Sequence, residues 1–259
     1  AVDGAERFVL TYVSDLGDLL SKLPPETASD FENYLEGTGK RPLNYLSTSD
    51  FDPSEVGTYF EGTAESPAGA FRYICMDGPF GAADLREQFP ALPRGFEATG
   101  ETVRGYEVFR WTEQTVPQAI AVTEGRVVWV ASELPGAEEA VGRAVGAVEG
   151  TETPYTAADE NFGTLVEALQ SGHYVETDGT AAPAVGALDY GRQFVVGAKR
   201  ARPEEVYVFE EAVDPDAHRD AIEANAPLYG SLLDATIDDL RAEGRTLRVV
   251  YEPIDNALM

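Results

Sequence analysis

The sequence predicts an α+β fold: antiparallel sheets with helices on one face, built as two diverged strand–strand–helix–strand units. Two observations carry that prediction. After residue 46 the chain turns strongly to short strands, with helical patterns only between groups of them. In addition, GAFRYICMDGPFGAADLREQF (69–89) lines up with EEVYVFEEAVDPDAHRDAIEA (204–224), each running strand, Asp/Pro turn, helix. One strand precedes each stretch, and an Arg-containing turn leads into another strand after it, VRGYEVFRW (103–111) in one case and GRTLRVVYE (244–252) in the other.

Residues 1–46 read as a mostly helical N-terminal segment. Phe8, Leu10 and Tyr12 alternate; Leu16, Leu19, Leu20 and Leu23 then recur at helical spacing until Pro24-Pro25, and a second helix runs from Ala28 to Leu35 before Gly37. The first α+β unit spans 47–150. Its strands are Glu55–Glu61, Ala70–Met76, Val103–Trp111, Gln118–Thr123 and Arg126–Ala131, the last two joined at Glu124-Gly125 as a hairpin. Its helices are Phe80–Phe89 and the alanine-rich Ala137–Val148. The polar stretch 149–160, with Pro154, marks the boundary. The second unit, 151–259, holds a helix at Phe162–Gln170 and strands at His173–Thr177, Arg192–Ala198 and Glu205–Glu211. A helix follows at Pro215–Glu223, with Asp214 as its N-cap and Pro215 at its first position. A further helical pattern covers Leu232–Ala242, and Thr246–Tyr251 closes the chain as a strand. The two units can share one compact domain.

The charge is the strongest compositional signal. There are 46 acidic and 19 basic residues, a net charge of −27, and only Lys22, Lys40 and Lys199 are lysine. Such a chain repels itself in dilute buffer. At molar salt the screening length falls to roughly 3 Å and the repulsion fades. The acid is spread from end to end and 43% of residues are hydrophobic, so this is a globular chain and not an acidic tail. The reading is adaptation to high salt, with solvent cations gathered by a carboxylate coat. No basic face is available for nucleic acid, and no apolar run approaches the roughly twenty residues of a transmembrane helix. The single cysteine, Cys75, excludes an internal disulfide. The chain opens on Ala1 without methionine, which fits trimming or removal of a leader peptide.

Chemistry-bearing motifs are absent: no phosphate-binding glycine loop, no paired-histidine zinc motif, no nucleophile elbow. No catalytic residue, metal site or cofactor is expected. Asp50 and Asp52 read as a turn and cap before Pro53. Cys75 reads as a buried strand residue, His173 and His218 as cap or surface residues, and Trp111 and Trp129 as core. Asp77, at a strand end, is the general base that an enzyme reading would need. The one unusual cluster is Lys199-Arg200-Ala201-Arg202, placed in a hairpin loop closed by Pro203. Guanidinium groups bind carboxylates and other anions in pairs, so Lys199, Arg200 and Arg202 are the candidate ligand-binding residues. The opposing reading pairs them with Glu204 and Glu205.

Asp77-Gly78-Pro79-Phe80, Gly95-Phe96-Glu97, Arg104-Gly105-Tyr106-Glu107-Val108, Ala119–Val122 and Val127–Ser132 together resemble a group of uncharacterised exported lipoproteins of halophilic archaea. The likeness covers roughly residues 55–250. It implies an outward-facing, membrane-tethered location, with the lipid-bearing cysteine upstream of Ala1, and it brings no activity. The function expected is a non-enzymatic extracytoplasmic binding or interaction module, its partner a small anionic ligand or another protein. A carboxylate-dependent hydrolase or a structural envelope protein is the alternative.

Overall fold

The computed structural model describes residues 7–36, 53–66, 69–79, 81, 83, 86–87, 96–111, 117–132, 137–151, 159–169, 172–178, 182, 185–225 and 236–256 of the chain. Among them, thirteen strands form one antiparallel sheet accompanied by five α-helices, an α+β architecture. The strands are β1 (Arg7–Val13), β2 (Tyr59–Ser66), β3 (Gly69–Asp77), β4 (Phe96–Val103), β5 (Tyr106–Trp111), β6 (Gln118–Thr123) and β7 (Arg126–Ser132). After them come β8 (Tyr174–Asp178), β9 (Asp189–Val196), β10 (Arg200–Val208), β11 (Ile237–Glu243), β12 (Thr246–Tyr251) and β13 (Ile254–Asp255). The helices are α1 (Leu16–Lys22), α2 (Pro25–Glu36), α3 (Ala137–Val148), α4 (Glu160–Ala168) and α5 (Pro215–Asn225).

Across the sheet the order is β11-β12-β10-β9-β8-β1-β2-β3-β7-β6-β5-β4, with β13 beside β10. The N-terminal strand is therefore central. β1 pairs with β2 on one side and with β8 on the other, joining strands from both predicted units.

Helices cover both faces of the sheet, not one as the sequence reading had it. The reason is visible in β7. Val127 and Trp129 point to one face, here the front; Val128 and Val130 point to the back, and all four are buried. A strand apolar on both sides needs a cover on both. On the front, Leu16, Leu19 and Leu20 of α1 and Ile222 of α5 join one core with Tyr59, Ile74, Trp129, Tyr207, Leu247 and Val249. On the back, Val141, Ala144 and Val145 of α3 pack on β5–β7, where the small Ala119 and Ala121 let the helix approach. Leu165 of α4 packs on Val175, Val206 and Val208. Asp15 caps α1, accepting from Asp18 N at 2.9 Å. Gly17 touches the turn before β2 so closely that a Cβ would lie 2.1 Å from the Ser54 carbonyl oxygen, leaving glycine as the residue that fits.

Four local expectations change. Val103–Trp111 is not one strand. The chain turns at Arg104-Gly105, both with positive φ (52° and 86°), and Phe96–Val103 forms the edge strand β4. That geometry is the two-residue turn that matches strand twist, reached here without the usual Asn-Gly signal. The helical pattern over Leu232–Ala242 is a strand from Ile237 onward. A bulge between Ile237 and Asp239 lets Ile237 and Leu240, three residues apart, both reach the front core, which imitates helical spacing. The stretch Glu55–Glu61 begins as a 3-10 turn, Pro53–Glu55, and becomes strand only at Tyr59. Finally, the basic run is not a loop. Arg200, Ala201, Arg202 and Pro203 all belong to β10. Pro203 is tolerated because it falls between the β13 partners (Arg200, Ala201) and the β12 partners (from Glu204), where no donor is needed on that edge. Most of the predicted helix Phe80–Phe89, and Asp50 and Asp52, lie outside the described residues.

Candidate binding site

The basic run is divided by its place on β10. Lys199 sits in the turn before the strand, where its carbonyl accepts from Asn256 N at 3.2 Å. Arg200 is exposed and lies opposite Asp255 of β13. Arg202, two residues on and on the same face by strand alternation, donates from Nε to Glu204 Oε1 at 3.1 Å. Local pairing with Glu204 thus accounts for Arg202.

Glu204 leads further. Its side chain is buried on the back face, the residue only 4% exposed. It accepts from Gln193 Nε2 at 2.6 Å and from Arg248 Nη1 at 2.6 Å. Arg248 also donates through Nη2 to the Ala168 carbonyl at the end of α4, so one guanidinium ties β12 to β10 and to the helix. Arg248 then borders a cavity of about 590 Å³ between α4 and the β11–β12 hairpin. Ala168 and Val206 are its apolar part; Arg241, Arg248, Thr246, Glu167 and Glu243 are its polar part. Arg241 and Arg248 are direct cross-strand partners. Two like charges so placed disfavour each other unless anions lie close. Asp239 is one: Arg241 Nε donates to its Oδ2 at 2.6 Å, which holds the guanidinium above its ordinary pKa and the Asp239 carboxyl below its own. Among the described residues, the Glu167 and Glu243 carboxylates have no hydrogen-bond or ion-pair partner, and both residues are exposed. The cavity therefore offers two cations, two open carboxylates and a hydroxyl around an apolar patch, and its size is within the roughly 300–1,000 Å³ of small-molecule sites.

The front face carries a second polar arrangement, centred on β1. Thr11 lies directly between Glu61 of β2 and Glu176 of β8. Tyr59 donates its hydroxyl to Glu61 (2.7 Å) and Tyr174 to Glu176 (3.3 Å). Arg72 Nε donates to Glu61 (2.8 Å) and Arg192 Nε to Glu176 (2.9 Å). The two Tyr–Glu–Arg sets are related as mirror partners across β1. Sequence reasoning passed over them. The signal available was Tyr-x-Glu at 59–61 and again at 174–176, each followed by an arginine on the next strand. Farther along the same face, Glu205 is wholly buried and accepts three phenol hydroxyls, from Tyr190 (3.0 Å), Tyr207 (2.9 Å) and Tyr251 (2.6 Å). Burial, then the adjacent Glu205 carboxylate, push the Tyr207 phenol well above its ordinary pKa.

The remaining sequence candidates hold structural positions. Burial, then Asp77, push the Cys75 thiol up to about 12, which keeps it a thiol and a poor nucleophile. Asp77 is engaged by Arg126, whose Nη2 lies 3.1 Å from Oδ2. His173 accepts from Val196 N through Nδ1 at 3.1 Å, and His218 packs on Phe209 in a tilted arrangement with ring centroids 4.6 Å apart. Trp129 is buried and donates to Gln118 at 3.1 Å; Trp111 is in the same core. Among the described residues no three His, Cys, Asp or Glu side chains are grouped to hold a metal ion. Nor is any helix among them long and apolar enough to cross a membrane.

No protein-family model and no curated protein matches the chain. Solved structures do. The structure of crystal form III of TP0453 is similar with a TM-score of 0.52 at 10% identity, over 98% of this chain and 92% of that one. Crystal form I of the same protein gives 0.51 at 10% identity over 98% and 92%, and crystal form IV gives 0.51 at 9% identity over 98% and 90%. At such identities the likeness is one of fold.

Proposed function

We propose that this chain is a non-enzymatic extracytoplasmic binding module of a halophile, tethered as in the archaeal lipoprotein-like proteins it resembles. The observation that carries the binding reading is the cavity between α4 and β11–β12, where Arg241, Arg248, Glu167, Glu243 and Thr246 converge beside an apolar patch. The enzyme alternative needs a free general base or nucleophile. Asp77 is held by Arg126, and Cys75 has its thiol pKa raised, so both count against it. The duplication reading is supported by topology in part. Each half has a hairpin (β2–β3, β9–β10) whose second strand is joined later by another strand, but the match is incomplete: β12 returns beside β10, whereas β5, its counterpart in the sequence alignment, lies between β4 and β6 and it is β7 that joins β3.

The test is a thermal-shift screen in about 3 M KCl, where charge repulsion is screened. The panel holds amino acids, peptides, carboxylic acids, sugars, nucleotides and divalent cations. A ligand at 100 times its Kd adds about 2.7 kcal/mol of stability. A shift lost in Arg241→Gln supports the binding module; a panel without any shift refutes the small-ligand reading and favours a protein partner. The halophilic reading is checked in the same instrument. Melting that falls steeply below about 1 M KCl is expected, and unchanged melting from 0.1 to 3 M refutes it.

A further inference from the structure

Resting on that binding reading, we infer that the cavity takes a small zwitterion whose carboxylate and ammonium groups lie several ångströms apart, a ligand of dipeptide size. The charges of the site are arranged in two zones. Arg241 and Arg248 stand side by side across the hairpin, with Cβ atoms expected about 5 Å apart, a spacing at which both guanidinium groups can grip one carboxylate. Arg248 is the fixed member, since Glu204 and the Ala168 carbonyl hold it; Arg241 is the more exposed one, held among the described residues through Nε by Asp239.

The acidic zone lies farther along the hairpin. Glu243 is two residues beyond Arg241 on the same strand face, roughly 7 Å along β11, and Glu167 lines the same cavity from α4. Neither carboxylate has a partner among the described residues. An ammonium group placed there would give both one, while the carboxylate at the far end would share the arginines with Glu204 and Asp239, which already hold them. A free α-amino acid, with its two charges on one carbon, is too short to reach both zones. A simple anion would satisfy the arginines and leave the acids facing it. The apolar lining, Val206 directly opposite Arg248 on β10 and Ala168 at the end of α4, lies beside the arginines and suits an uncharged backbone or short side chain.

Diglycine is the probe, measured by calorimetry and thermal shift on the full chain in 3 M KCl at about pH 6.5, where its α-amino group, with an ordinary pKa of about 8, is charged. Glycine, N-acetylglycine and glycinamide serve as the short, carboxylate-only and amine-only controls. The expected result is binding of diglycine at least tenfold tighter than any control, with at least tenfold loss in both Arg241→Gln and Glu243→Gln. Both positions are exposed, so melting of the free variants should stay near that of the parent chain and report intact folding. N-acetylglycine binding as tightly as diglycine, with loss only in Arg241→Gln, overturns the zwitterion and leaves an anion-binding module standing. Equal diglycine binding in the parent and both variants overturns the assignment to this cavity. No binding by any of the four probes overturns the zwitterion inference, and the broader screen then decides whether the cavity binds another class.

Discussion

Glu204 and Glu205 are neighbours on β10 and both are buried, yet they face opposite sides of the sheet and are satisfied by opposite means. On the back, Glu204 meets two guanidinium groups and an amide, beside a solvent-accessible cavity. On the front, Glu205 meets three phenols and, among the described residues, no cation. A carboxylate near water can keep arginine partners, because the arginines leave part of themselves hydrated; side-chain exposure is 48% for Arg202 and 25% for Arg248. A carboxylate inside an aromatic core would have to bring a buried cation with it, at a desolvation penalty of several kcal/mol per ion. Tyrosine supplies a donor without a charge and adds ring surface to the same core. The Glu204 cluster is thus built from groups a ligand could compete for, whereas the Glu205 cluster locks β9, β10 and β12 together.

Substitutions that remove one side of each arrangement test this contrast. The largest effect is expected for Glu205→Ala, which opens a cavity and strands the buried Tyr207 and Tyr251 hydroxyls. At 1–3 kcal/mol for each unsatisfied buried donor plus the cavity, about 4 kcal/mol of stability should be lost in chemical denaturation at 3 M KCl. A loss under about 1 kcal/mol would mean that the phenols find other partners. Arg248→Ala comes next, at about 3 kcal/mol, because it leaves Glu204 buried with a single cation partner and the Ala168 carbonyl without its donor.

Asp189 gives a pH-dependent case of intermediate size. It is buried at the start of β9; burial first, and the Asp159 carboxylate next, raise its pKa from 3.8 to about 6. The fold then holds this proton more tightly than the unfolded chain does. Its contribution is full below about pH 4 and is lost as pH rises through 6. Asp189→Asn should therefore gain about 2 kcal/mol relative to the parent between pH 4 and 7. A constant difference across that window in paired melting curves would show that Asp189 titrates normally. The smallest effect is expected for Arg202→Ala, under about 1 kcal/mol, since its guanidinium is half exposed and Glu204 keeps Arg248 and Gln193. If Arg202→Ala proved as harmful as Arg248→Ala, the division between a fixed and a dispensable arginine would fail.

Local signals were legible wherever one strand or helix settles its own form. Ala137–Val148 was read as a helix and is one, end to end. Asp214 caps α5 as its sequence indicates, accepting from Asp216 N at 3.0 Å. The Glu124-Gly125 hairpin joins β6 and β7 as expected. Misreadings arose where a local pattern has two solutions. The three-residue spacing of Ile237 and Leu240 fits a helix or a bulged strand, and pairing with β12 chose the strand. Pro203 reads as a loop residue until the gap between β13 and β12 is known.

By itself the sequence determined the α+β class, the acidic and arginine-rich character, the lack of known catalytic motifs and most element positions, because these depend on composition and short-range periodicity. Only the tertiary structure decided that β1 lies at the centre of the sheet, that helices cover both faces, and that Arg241, Arg248, Glu167 and Glu243 surround one cavity. Such facts join residues far apart in the chain, as with Thr11 and Glu176, 165 positions apart and side by side. Pairing between strands is set by which faces can be buried together, a property of the whole sheet that no short stretch of chain carries.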